Sequence, residues 1–288
     1  MLFAFGVLAR HRGWFDEHDA RRMLTMVLWF AMPALILSSV TELPLEPTLL
    51  FLPVTAALII VLSWPIAVLL GHRLLLPTPS MGVFVISPMV MNLVALYPYV
   101  LAMWGAEGFG RFALFDLGNS LMAFTLTYTL ACLYGGQAGD IRGIGKRLAS
   151  FPPLWALVVA LLMNRWDIEL PETVSATLHT SGSAVVLLVM VALGIHFRPR
   201  LQFPLPVILA IVLRVVLGVG IALLLVTLFD LQGLDRELVL LGAMAPVGFN
   251  VLVFSAREGL DSELAANVVS LNPILSFVYV PVFLLLVV

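Results

Sequence analysis

The sequence predicts an all-α protein that crosses a membrane many times, and three observations carry that expectation. Hydrophobic residues fill 61% of the 288 positions and charged residues only 11%, whereas soluble domains carry about 25% charged residues. The apolar residues form long blocks such as Leu49–Leu70, Val185–Ile195 and Pro204–Phe229, not the one-sided stripe of a soluble helix. The basic residues gather in alternate connections between those blocks. In hydrocarbon an apolar segment must satisfy its own N–H and C=O groups, which makes it helical. Uniform apolar runs also lack the strict alternation of a porin-like barrel.

Spans are expected near 1–9, 22–41, 49–70, 81–104, 111–134, 148–164, 173–196, 204–229, 236–256 and 262–288. The first, at roughly 14 Å, is too short to cross and reads as the truncated second half of a helix. It has no basic flank before it and no small-residue cleavage site after it, so it does not read as a signal peptide. One set of alternate connections holds Arg10, Arg12, Arg21, Arg22, Arg73, Arg142, Lys146, Arg147, Arg198, Arg200 and Arg257; the opposite set holds Arg111, Arg165 and Arg236. Basic residues stay in the cytoplasm, so both chain ends are expected outside if the short first segment is a genuine span. Ten spans divide into two groups of five around a short connection at 135–147. The expected domains are therefore a first repeat at 1–134 and a second, inverted repeat at 148–288, a recurrent plan among secondary transporters. The similar strings Gly105-Ala106-Glu107-Gly108-Phe109 and Ala256-Arg257-Glu258-Gly259-Leu260 are a faint trace of such a duplication.

The fourth span contains Ser87-Pro88, Asn92 and Tyr97-Pro98, and the ninth contains Gly242, Pro246-Val247-Gly248 and Asn250. Proline removes a donor and clashes with the carbonyl four residues back, so both spans are expected to break at mid-depth. Freed peptide groups there need protein or a water-filled cavity around them. An ordinary kink is the plainer alternative, weakened by the occurrence of breaks in corresponding spans of both halves. If the breaks meet, the positive ends of the half-helices attract an anion, and Asn92 and Asn250 add amide groups that donate and accept. Pro98 and Pro246 mark the breaks themselves.

Other polar residues stand out against the apolar background. Asp116 and Asn119, three apart, share a face at the start of the fifth span; Asp116 is a candidate for ion coupling or a hydrated carboxylate, and Asn119 a candidate for cavity lining. Arg214 lies about ten residues into the eighth span. A charge at that depth needs water, a partner or a route to the surface, so solute binding, an ion pair and snorkelling all remain open. His179, in the polar first turns of the seventh span, is a candidate for coupling or an ion pair, although a solvent-facing residue at a helix end is the plainer reading. Asn267, Ser270 and Asn272-Pro273 form a second polar cluster in the last span, with Asn272 a further cavity-lining candidate.

Several functions are excluded or unsupported. Cys132 is the single cysteine, so no disulfide framework exists, and five scattered histidines offer no structural metal site. A net charge of −2 without a basic stripe gives nucleic acid nothing to bind. No metalloprotease, nucleophile-elbow, phosphate-loop or dinucleotide motif occurs, so no enzyme and no bound cofactor are expected. Sodium stays open, because carbonyls freed by broken helices coordinate it without a carboxylate.

Gly13-Trp14-Phe15-Asp16-Glu17 leading to Met32-Pro33-Ala34-Leu35, the stretch Asn92 to Pro98 with Trp104-Gly105-Ala106-Glu107-Gly108, Leu117-Gly118-Asn119, Met244-Ala245-Pro246 and Gly259-Leu260-Asp261 together resemble the auxin efflux carrier family. The likeness extends to its bacterial malate- and malonate-permease-like members and covers essentially the whole chain. It implies a ten-helix inverted-repeat fold with crossed broken helices 4 and 9, similar to that of sodium–bile-acid symporters. It implies a scaffold domain from helices 1, 2, 6 and 7 and a transport domain from 3–5 and 8–10. The expected activity is carriage of a small organic anion across the inner membrane by an elevator-like motion. The expected partners are the anion, membrane lipid and a second copy in a homodimer. Three features depart from the family: the short first helix, the short 135–147 connection, and Ser183-Ala184-Val185-Val186 where many relatives have proline. A sodium-coupled symporter of the bile-acid type and a non-transporting receptor or structural protein are the alternative readings.

Overall fold

Apolar composition makes helices wherever the chain is described, and prolines and caps decide where each one stops. A computed structural model describes residues 2–43, 47–136, 149–150, 152–196 and 205–287. Most of the expected 135–147 connection, with Arg142, Lys146 and Arg147, lies outside the described residues, as do Arg198 and Arg200. The first helix, α1, is Leu2–His11. In α2 (Glu17–Met26) a capping box sets the start: Asp16 accepts from the N–H groups of His18 and Asp19, while the Asp19 carboxylate accepts from the Asp16 N–H. A π-helical turn, Val27–Ala31, leads into α3 (Met32–Val40). Pro33 causes it: its ring crowds the carbonyl four residues back, and the ladder widens so that the Met32 N–H reaches Val27 O. Next come α4 (Phe51–Arg73), α5 (Thr78–Ile86), and α6 (Tyr97–Met122), which is interrupted at Gly105. A second π-helical turn, Ala123–Thr127, precedes α7 (Tyr128–Tyr134). The remaining helices are α8 (Pro152–Arg165), α9 (Glu172–His196), α10 (Leu205–Leu228), α11 (Gly233–Ala243), α12 (Asn250–Glu258) and α13 (Ser262–Val287).

The expected ten-helix, five-plus-five inverted-repeat architecture is corrected by these lengths. Among the described residues five helices are long and apolar enough to span: His18–Val40, Thr48–Arg73, Glu172–Ala192, Leu205–Leu228 and Ser262–Leu285. The expected first and sixth spans have only 10 and 14 residues, short of the roughly 20 a crossing needs. The expected fourth and ninth spans are not single helices. Pro88 ends the first of them: α5 stops at Ile86, a 3-10 turn follows at Ser87–Met89, and Val90 is extended at φ −99° and ψ 116°. Pro246 ends the second, because the residue before a proline is pushed out of the helical region, and α11 stops at Ala243. Hydropathy alone merges such short apolar pieces into one apparent span. The five long helices still make this a polytopic membrane protein. They leave large apolar side chains uncovered, with Phe30 74% and Leu285 86% exposed, which only lipid accommodates at low cost.

The chain divides into two compact units. The first comprises Met1–Leu49, Val94–Ala113 and Ser150–Arg198. Its centre is α9, against which α1 lies so closely that a Cβ on Gly6 would strike Val191 O and one on Gly194 would strike Phe3 O. Ala20, Val191, Ala192 and Ile195 form the buried seam between α2 and α9, with Phe15, Met23 and Leu24 packed on it. Asn164, near the end of α8, donates its amide to the carbonyls of Val40, Thr41 and Leu43 at 2.8, 2.9 and 2.7 Å. These carbonyls lie at and just beyond the end of α3, where the helical ladder runs out. Replacing Asn164 by alanine is expected to cost about 1–3 kcal/mol, read as a lower midpoint of thermal unfolding in detergent. The second unit comprises Leu50–Leu93, Leu114–Ala149 and Pro199–Val288, and holds α4, α5, α7 and α10 to α13.

Candidate functional site

In the second unit the two interruptions meet. Met91 and Val247 form an isolated antiparallel bridge, with the Asn92 N–H donating to Pro246 O at 2.8 Å and the Gly248 N–H donating to Val90 O at 3.0 Å. Backbone freed from the helical ladder by Pro88 and Pro246 thus pairs with itself, as backbone away from water must. Asn119 braces the opposite edge of Met91. Its Oδ1 accepts from the Met91 N–H and its Nδ2 donates to Met91 O, both at 3.4 Å. The same Nδ2 donates to Asp116 Oδ1 at 2.9 Å, and Ser120 Oγ donates to that oxygen at 3.5 Å.

Arg214 clamps the ends of the helices that run into this crossing. Its side chain is wholly buried, and its Nε, Nη1 and Nη2 donate at 3.0 Å to the carbonyls of Ala245, Pro88 and Ala243 respectively. Those carbonyls belong to the last residue of α11, to the residue two beyond it and to the 3-10 turn after α5, where peptide dipoles leave partial negative charge. A planar guanidinium fork can address three acceptors in different directions, which an ammonium cannot. One turn along α10, Gly218 clears the path, since a Cβ there would overlap Ala243 O. Of the options open for Arg214 in the sequence, none named backbone carbonyls as its partners.

Two buried amides near this framework have nothing to donate to. Asn92 Nδ2 and Asn272 Nδ2 are fully enclosed and lack a hydrogen-bond partner; Asn92 is 6% exposed and Asn272 0%. The carbonyl side of Asn272 is occupied, accepting from the Tyr279 hydroxyl at 3.0 Å. Tyr279 in turn lies within electrostatic reach of Arg214. A buried unsatisfied donor costs about 1–3 kcal/mol, so each of the two calls for an explanation.

The membrane transport protein family matches residues 141–284, half of the chain. The chain belongs to this family. Its similarity to other proteins extends further than that segment. It is 28% identical to an uncharacterized transporter of Methanothermobacter thermautotrophicus over 98% of this chain and 94% of the relative. It is also 28% identical to an uncharacterized transporter of Methanocaldococcus jannaschii over 93% of this chain and 89% of the relative. Family membership makes the chain a membrane transport protein and not an enzyme. Among the described residues no group of three or more His, Cys, Asp or Glu side chains could hold a metal ion.

Of the nine residues singled out in the sequence, the structure places Asn92, Asp116, Asn119, Arg214, Pro246, Asn250 and Asn272 in the second unit, and Pro98 and His179 in the first. Pro246 is buried at the crossing, and Asn250 is half-buried as the first residue of α12. Pro98 is the second residue of α6, where a missing N–H is harmless; the chain leaves the helical path earlier, at Val90. His179 is exposed and lines an open cavity of about 1110 Å³ in the first unit, together with Glu42, Asn164, Asp167, Glu169 and Glu172. The sequence reading passed over Tyr279. Its spacing of seven from Asn272, two helical turns on one face, was the signal that could have found it.

Proposed function

We propose that this membrane transport protein moves a small organic anion, a mono- or dicarboxylate or an auxin-like acid, across the cytoplasmic membrane by elevator-type alternating access. The observation that carries the reading is the pair of buried, acceptorless amide groups of Asn92 and Asn272. A carboxylate supplies what both lack, and hydrogen bonds to a charged acceptor are the strong ones. Asn250 at the start of α12 adds the positive end of a helix dipole. Arg214 contributes positive charge while its donors remain engaged with carbonyls. Binding by partial charges and amides suits a carrier, because the guest must also leave. In this reading Asn119 holds Met91 in place, and Asp116 is the candidate for coupling to a proton or cation.

Purified protein in proteoliposomes, offered radiolabelled acetate, malonate, malate and indole-3-acetate, tests the proposal. Saturable uptake of at least one of them, absent from protein-free vesicles, is expected. Well-folded protein that takes up none of the four would sink it.

A further inference from the structure

We propose that Tyr279 is a positioning residue that commits Asn272 to donating hydrogen bonds, and so makes the site select an anion over its neutral amide. The inference rests on the solute reading just given and deepens it.

An asparagine side chain can turn either edge toward a guest, and a phenol can donate or accept. Pairing the two does not by itself fix which way the amide faces. Arg214 supplies the missing constraint. Tyr279 lies in the field of a wholly buried guanidinium, and in low dielectric that field is strong. A nearby cation favours the phenol orientation whose O–H points away from it, and the Tyr279 O–H donates to Asn272 Oδ1 at 3.0 Å. With its oxygen engaged, Asn272 has only its Nδ2 hydrogens to offer, and these are the ones left without an acceptor. Had the pair served packing alone, nothing would require a fully buried amide with one edge bonded and the other bare. A carboxylate meets that edge with a charged acceptor. The corresponding primary amide brings a weaker acceptor and N–H groups for which Asn272 has no acceptor free.

Tyr279→Phe keeps the ring and deletes the hydroxyl. The experiment compares the best-carried carboxylate among the four with its primary amide, for instance malonate with malonamide, as inhibitors of labelled carboxylate uptake in proteoliposomes. In the wild type the carboxylate is expected to inhibit far better. In Tyr279→Phe its KM is expected to rise about tenfold with maximal rate within about twofold, and the preference over the amide to fall about tenfold. An unchanged preference, or equal weakening for both inhibitors, would overturn the proposal, since a merely structural role moves both alike. Should the phenylalanine variant fail to reconstitute, Asn272→Asp reads the same point. It replaces the donor with an acceptor of the same shape and is expected to favour the amide, and a retained preference for the carboxylate would overturn the proposal. Wild-type protein carrying no carboxylate defeats the solute reading itself. Wild-type uptake with an unaltered preference in Tyr279→Phe defeats this inference alone.

Discussion

Replacing Arg214 by methionine is expected to destabilise the protein by roughly 3–5 kcal/mol, the range for removing one partner of a buried charged contact. The unbranched stem is largely kept, so the main loss is the guanidinium's hydrogen bonds. Three carbonyls, those of Pro88, Ala243 and Ala245, lose their donors in a place water does not reach. Each buried orphan costs about 1–3 kcal/mol, and the last turn of α11 has no other side chain bonded to it among the described contacts. Arg214→Lys is expected to fall between, because a single ammonium keeps the charge but cannot reach all three acceptors at once. Thermal unfolding in detergent, followed by intrinsic tryptophan fluorescence, should rank the three proteins as Arg, Lys, Met. A methionine variant that melts with the wild type would show that the helix ends do not depend on the guanidinium.

That clamp also shows where sequence reading stops. The apolar blocks announce α4, α10 and α13 directly, and the prolines at 88 and 246 announce interruptions. Counting spans failed because hydropathy adds up residues and cannot see where a helix is interrupted. With nine residues in α5 and eleven in α11, each piece covers only about 14–17 Å. Pro98 illustrates the same limit: two prolines ten residues apart in one apolar run gave no sign of which one breaks the helix and which begins the next. Arg214 was conspicuous as a charge, yet its partners are peptide carbonyls, which every residue type carries, so no pattern in the sequence could name them. Asn92 was visible as polar in an apolar run. That its amide is left bare, unlike that of Asn119, depends on which backbone lies beside it.

Asn92→Leu is expected to raise the stability of solute-free protein while removing most of its transport. Leucine nearly matches asparagine in shape, and the backbone hydrogen bond from residue 92 to Pro246 O does not involve the side chain. What disappears is a buried Nδ2 with no partner, and its removal is worth about 1 kcal/mol, or a few degrees in the unfolding midpoint. Uptake efficiency for the carried anion should fall about 10- to 100-fold, the loss of a hydrogen bond to a charged acceptor. The two signs together are diagnostic. A residue kept for structure loses stability and activity in step, whereas a residue kept for its guest burdens the empty protein and rewards the loaded one. Adding saturating anion should separate the proteins further, because ligand stabilises only what binds it: the wild-type midpoint should climb and the leucine variant's should stay put. A leucine variant that is less stable than the wild type, or that keeps full uptake, would return Asn92 to the packing of the crossing and leave the solute reading to Asn272.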